Sequence, residues 1–204
     1  MKILVLDTSY RFLAVALYID DQPVESRLEE GSRTQSERAI PVIEEVLEAH
    51  GLGLLDLDRI VVTRGPGSYT GVRVGLTIAK TLKAVHAATE VIMISTLAAY
   101  AGIKGKYLSV MDARSKKVYV GVYSDGQSVC PETIILLEEF ADFAAQYPDY
   151  VIVGDTQLVG APEQNIDWIT NIYELSLLST PVQDVHALVP TYIKEVEAKQ
   201  QWHP

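Results

Sequence analysis

The chain has 204 residues, 48% of them hydrophobic, enough for one large domain or two small ones to bury a core. Its formal net charge of −10, with basic residues scattered and outnumbered, argues against direct, independent binding of DNA or RNA. A single cysteine, Cys130, excludes an internal disulfide, and no Cys-x-x-Cys or Cys/His cluster points to zinc.

The apolar start Ile3-Leu-Val-Leu6 reads as a short strand ending in Asp7-Thr8-Ser9. Asp7 cuts that run too early for a signal peptide, and no apolar stretch reaches membrane-spanning length, so a soluble, cytoplasmic protein is expected. Residues 12–19 form a second strand, Asp20-Asp21-Gln22-Pro23 a turn, and residues 24–29 a third strand, giving a meander. Thr34-Gln35-Ser36-Glu37 has the form of a capping box. The helix it opens carries Ile40, Ile43, Leu47 and His50 on one stripe and Ala39, Val42, Val46 and Ala49 on the next, a wide apolar face. Pro41 inside it predicts a kink or a later start.

Residues 59–63 are a β-branched buried strand, and residues 72–88 read as a helix. Between them runs Arg64-Gly-Pro-Gly-Ser-Tyr-Thr-Gly71. A helix start behind a glycine turn suits an anion. The phosphate-loop pattern fails, however: Gly65 and Gly71 stand one position too far apart, and Arg73 is not the required lysine. Gly71, Gly75 and Ala79 fall on one helix face, joined by Val72, Leu76 and Leu82. Interior helix glycines cost about 1 kcal/mol each against alanine, so another helix is expected to come very close. Residue spacing alone leaves open whether that helix is in the same chain or another.

A strand at 91–94 and a short helix at 96–101 complete the order βββαβαβα, with a hinge at 102–105. The second half opens as a hairpin, 107–111 and 117–123, turning at Asp112-Ala-Arg-Ser-Lys116. A helix at 138–146 and a strand at 150–153 follow; residues 160–168 read as loop and 175–178 as weakly helical.

This order, with Asp-Thr-Ser closing the first strand, resembles the ribonuclease-H-like half of the actin, heat-shock-protein and sugar-kinase (ASKHA) superfamily. Ile3-Leu-Val-Leu-Asp-Thr-Ser9, Gln35-Ser36-Glu37-Arg38, Gly65-Pro-Gly-Ser-Tyr-Thr-Gly-Val-Arg-Val-Gly75, Met111-Asp-Ala-Arg114 and Pro190-Thr-Tyr-Ile193 are together similar to the bacterial TsaB (YeaZ) family. The resemblance implies a two-lobed α/β fold with mixed sheets, residues 1–102 forming an N-terminal lobe and 103–204 a degenerate C-terminal lobe. It implies a non-catalytic subunit that scaffolds a TsaD-like transferase, with a TsaE-like ATPase, in placing a threonylcarbamoyl group on N6 of adenosine 37 of tRNAs reading codons that begin with A. It also implies self-association when alone, tRNA contact only through the complex, no metal, no catalytic residue and no intrinsic cofactor, with ATP or ADP bound only in the complex.

On that resemblance the partner or dimer surface is expected at Ser36, Ile40, Ile43 and Leu47 on one helix and Gly71, Val72, Arg73, Gly75, Leu76, Ala79 and Leu82 on the other. The rival reading is a small-molecule kinase or phosphatase of the same fold using Asp7 and Asp112, with Thr8 and Ser9 beside the nucleotide. Its weakness is that Ser9-Tyr10-Arg11 has no glycine for backbone approach, so Asp7 reads as a strand-end hydrogen-bond acceptor. Gly154-Asp155-Thr156 stands where the superfamily's adenosine loop would lie. A metallopeptidase reading lacks ligands: TsaD-like enzymes carry a His-x-x-x-His pair, and no two of His50, His86, His186 and His203 are so spaced. Gln35 stands where family members often have histidine.

Overall fold

The computed structural model describes residues 1–30, 35–191 and 193. The first apolar run, residues 3–6, lies in β1 (Lys2–Asp7), and it does not alternate with polar residues because both of its faces are covered. Leu4 and Leu6 enter one core, and Ile3 and Val5 the other. β2 (Phe12–Ile19) and β3 (Gln22–Glu30) extend the sheet antiparallel on one side. Helix α1 (Gln35–Glu48) follows. β4 (Arg59–Thr63), α2 (Tyr69–Val85) and β5 (Glu90–Ile94) then add two parallel strands on the other side, for the order β3-β2-β1-β4-β5. α1 and α2 cover Leu4, Leu6, Ile60 and Val62, with Ala39, Ile43, Leu47, Leu76 and Leu82 facing inward.

The short helix α3 (Thr96–Ala101), capped by Ser95, lies between this sheet and a second one. The second sheet contains β6 (Lys106–Asp112), β7 (Lys117–Ser124) and β8 (Gln127–Leu136), with α4 (Phe140–Ala144) packed on it and β9 (Val151–Gly154) joining in parallel. The order is β8-β7-β6-β9. Both sheets are mixed, each carrying parallel and antiparallel pairs.

The first sheet ends before Gly102, which closes α3 at φ +69°, and the second begins after it. The chain nevertheless does not stay with the second sheet. α5 (Trp168–Leu177) returns to the first, setting Ile172, Tyr173 and Leu175 against Ile3, Val5 and Ile92, while Tyr173 stacks on Tyr18 at 3.8 Å between ring centres. Leu188 joins the core under α1 and α2. Residues 103–191 therefore pack on both sheets.

Three elements differ from expectation. β8 was not anticipated because Pro131 interrupts its pattern; the strand is at the edge of its sheet, and Pro131 and Glu132 fall in a register shift, so no ladder donor is missed. α5 starts earlier than 175 because the Asp167 carboxylate accepts from Thr170 N at 3.1 Å. α1 runs through Pro41 without ending. Thr34 of the expected capping box, Tyr192 and the tail from 194 lie outside the described residues.

Candidate functional site

The glycines of the motif bring α2 onto the turn after β1. A Cβ on Gly67 would stand 2.1 Å from Ser9 O, one on Gly71 1.9 Å from Thr8 O, and one on Gly75 2.9 Å from Thr8 Oγ1. The contact is hydrogen-bonded as well as close: Ser68 N donates to Ser9 O (2.6 Å), Thr8 Oγ1 to Gly71 O (2.7 Å), and Gln35 Nε2 to Tyr10 O (3.0 Å). Gln35, at the position often held by histidine, thus pins the same turn from α1. The Gly71 N–H is taken by Ser68 Oγ, the helix cap, and Gly65 O accepts from Thr96 N. The loop's polar groups bind the fold together.

Gly71, Val72, Gly75, Leu76, Ala79 and Leu82 on α2, and Ile43 and Leu47 on α1, are buried within the chain, and the close intrachain neighbour of Gly71 and Gly75 is Thr8. The helices expose the neighbouring stripes instead. Ser36, Ile40, Tyr69, Arg73 and Thr77 face outward, with half-buried Val74 and Ile78 between them. Tyr69 is 62% exposed, and the Arg73 guanidinium lies 3.8 Å over its ring. Of the expected surface, Ser36, Ile40 and Arg73 are outward-facing.

The kinase-type residues do not converge. Asp7 is buried beside a cleft of about 500 Å³ between the lobes, and its carboxylate accepts from Ser9 N (2.8 Å), Thr63 Oγ1 (2.7 Å) and Trp168 Nε1 (3.2 Å). Thr8 and Ser9 are buried in the contacts above, Ser9 Oγ also meeting Thr96 Oγ1 at 3.1 Å. Asp112 is exposed and forms its own turn, accepting from Arg114 N at 2.7 Å, ahead of Arg114, Ser115 and Lys116 at φ 64°, 51° and 60°. The buried acid that shares the cleft with Asp7 is Asp155, and the exposed Glu163 lines its rim. Asp155 is held from three sides. It accepts from Tyr10 OH (2.6 Å), Arg11 (3.1 Å) and Asp112 N (2.9 Å), tying the first lobe's turn to the second lobe's hairpin. The only sequence signal for it was Gly154, whose φ of +96° and closeness to Val110 O (2.3 Å from a Cβ) admit no side chain.

Similarity to known proteins follows the same outline. A family model described as "TsaD: tRNA N6-adenosine threonylcarbamoyltransferase" matches residues 29–158. The tRNA threonylcarbamoyladenosine biosynthesis protein TsaB of Bacillus subtilis is 30% identical across 99% of this chain and 98% of its own length. The chain belongs to the TsaB (YeaZ) family. TsaB of Escherichia coli is 35% identical over 60% of this chain and 55% of its own. A tRNA N6-adenosine threonylcarbamoyltransferase of Erythrobacter litoralis is 41% identical over 34% of this chain and 20% of its own length. The solved YeaZ of Pseudomonas aeruginosa superposes with a TM-score of 0.74, at 24% identity, over 94% of this chain and 99% of its own, which establishes the shared fold.

In this TsaB-family chain, no group of three or more His, Cys, Asp or Glu among the described residues could hold a metal ion, and none of the described helices is long and apolar enough to cross a membrane. Removing the Asp7 carboxylate should be costly. Asp7→Ala leaves three donors without an acceptor and is expected to lower stability by roughly 3 kcal/mol, read by urea denaturation. The cleft also predicts an alkaline transition. Burial, then Asp155, pushes the Tyr10 phenol up to about 12 from 10.0. The folded state holds that proton more tightly than the unfolded one, so the stabilisation is whole below pH 10 and lost as pH rises toward 12. Tyr10→Phe should flatten this part of the stability–pH curve.

Proposed function

We propose that this chain is a non-catalytic partner subunit in forming the threonylcarbamoyl group on N6 of adenosine 37 of tRNA. It scaffolds and activates a TsaD-like transferase, alongside a TsaE-like ATPase, through the outward face of α1 and α2. The observation that carries this reading is the full-length similarity to a protein named for that biosynthesis. The geometry supports it from two sides. The exposed stripe of Ser36, Ile40, Tyr69, Arg73 and Thr77 combines aromatic, aliphatic and arginine groups of the kind that anchor protein interfaces. The inter-lobe cleft, where a kinase of this fold would work, has its Asp7 and Asp155 already hydrogen-bonded within the chain.

In this reading the free chain pairs with itself through the face it offers the transferase. Nucleotide and tRNA are bound only by the assembly, and the work is done in the cytoplasm. Sedimentation of the chain with its TsaD-like partner tests the proposal: a one-to-one heterodimer that displaces the homodimer is expected, and two independent species would refute it. The kinase or phosphatase reading predicts the opposite in calorimetry, tight binding of ATP by the isolated chain.

A further inference from the structure

Arg64 ends β4 and starts the glycine turn, and the partner-binding reading makes no use of its side chain. Its backbone is committed: N–H donates to Ile94 O and the carbonyl accepts from Thr191 N, each at 2.9 Å. The side chain lines a cavity of about 700 Å³ that does not include Asp7, and among the described residues its buried Nε has no hydrogen-bond partner. Buried polar groups in folded proteins ordinarily have a partner, so an unsatisfied one marks a place for a water, an ion or a bound group.

Glu132 lines the same cavity, thrown there by the register shift of β8 around Pro131. Its Oε1 accepts from both the Ser95 and the Tyr123 hydroxyls. Burial and the Glu132 carboxylate raise the Tyr123 phenol, which keeps it a donor and fixes the carboxylate. Among the described residues the second oxygen has no hydrogen bond, and Arg64 and Glu132 make no ion pair with each other. The cavity therefore presents one cation and one anion, separately, beside the apolar Ile94 and Leu175. A simple anion would meet Glu132, and a simple cation would meet Arg64. A ligand bearing both charges on neighbouring atoms answers both.

We propose that this cavity binds a free α-amino acid, with its carboxylate on Arg64, its ammonium on Glu132, and a short apolar side chain against Ile94 and Leu175. The test is an NMR titration of the full-length chain with L-valine, L-valinamide and N-acetyl-L-valine. Valine is expected to bind with a Kd of about 1 mM or tighter. The amide, lacking the carboxylate, and the acetyl derivative, lacking the ammonium, should each bind at least roughly tenfold more weakly, the loss expected for a charged hydrogen-bond pair. Glu132→Gln keeps an oxygen for Ser95 and Tyr123, so it should melt as the wild type while losing valine affinity by a similar factor. Absence of binding by valine, equal binding by either blocked analogue, or binding of inorganic phosphate in preference to valine would each overturn the proposal.

Discussion

Gly71→Ala is expected to destabilise the chain strongly and to lower its melting temperature. The added Cβ would sit 1.9 Å from Thr8 O and 3.1 Å from its carbonyl carbon, both backbone atoms of the strand-end turn. No rotamer change relieves such a contact, and moving the turn would break the Thr8 Oγ1 bond to Gly71 O and the Ser68 N bond to Ser9 O. Alanine gains about 1 kcal/mol of helix propensity over glycine, which is too little to offset the clash and the lost bonds. A net loss of roughly 3 kcal/mol or more follows, a large fraction of the 5–15 kcal/mol that holds a typical domain folded. Gly75→Ala provides the internal control. Its Cβ meets the Thr8 hydroxyl at 2.9 Å and Leu6 Cδ2 at 4.0 Å but no backbone atom, so the helix-propensity gain offsets part of the cost of turning Thr8 Oγ1 away from Gly71 O. Thermal melting of the two variants measures the contrast. A stable Gly71→Ala chain that failed only to associate would restore the small-residue stripe as an interface.

The converse behaviour is expected of the exposed stripe. Ile40 is 38% exposed on α1, and Thr77 points outward on α2. In the double variant Ile40→Arg and Thr77→Arg, two long cations stand on the proposed contact face, and no buried group is disturbed. Melting should match the wild type, while affinity for the TsaD-like partner should fall about a hundredfold or more, near 2.7 kcal/mol. Burying unpaired charge at an interface centre has a cost of this size. Sedimentation at matched concentrations would show it, and unchanged association would remove α1 and α2 from the interface.

The two halves of the chain were unequally legible. The first meander, β4 and α2 follow from local pattern, since β-branched runs, turn residues and helix caps act within a few residues. The glycine spacing in α2 demanded a very close neighbour and pointed to a helix, where the structure has a strand-end turn. It could not say which, because spacing encodes distance and not identity; the neighbour is the backbone of Thr8 and Ser9, brought there by the parallel pairing of β1 with β4. Asp155 was opaque for the same reason. Its partners Tyr10, Arg11 and Asp112 are supplied by distant segments, and only the fold assembles them. β8 was hidden by Pro131 and α5 by the β-branched start Trp168-Ile-Thr-Asn-Ile172, where packing against Ile3 and Ile92 outweighs weak helix propensity.

The most direct measurement is reconstitution of tRNA modification. The cognate TsaD-like and TsaE-like proteins, ATP, threonylcarbamoyl-adenylate and unmodified tRNA are combined with and without this chain, and modified adenosine is scored by mass spectrometry. A scaffold subunit predicts modification only when the chain is present, and its loss with the Ile40→Arg and Thr77→Arg variant. Equal modification in the chain's absence would contradict the account.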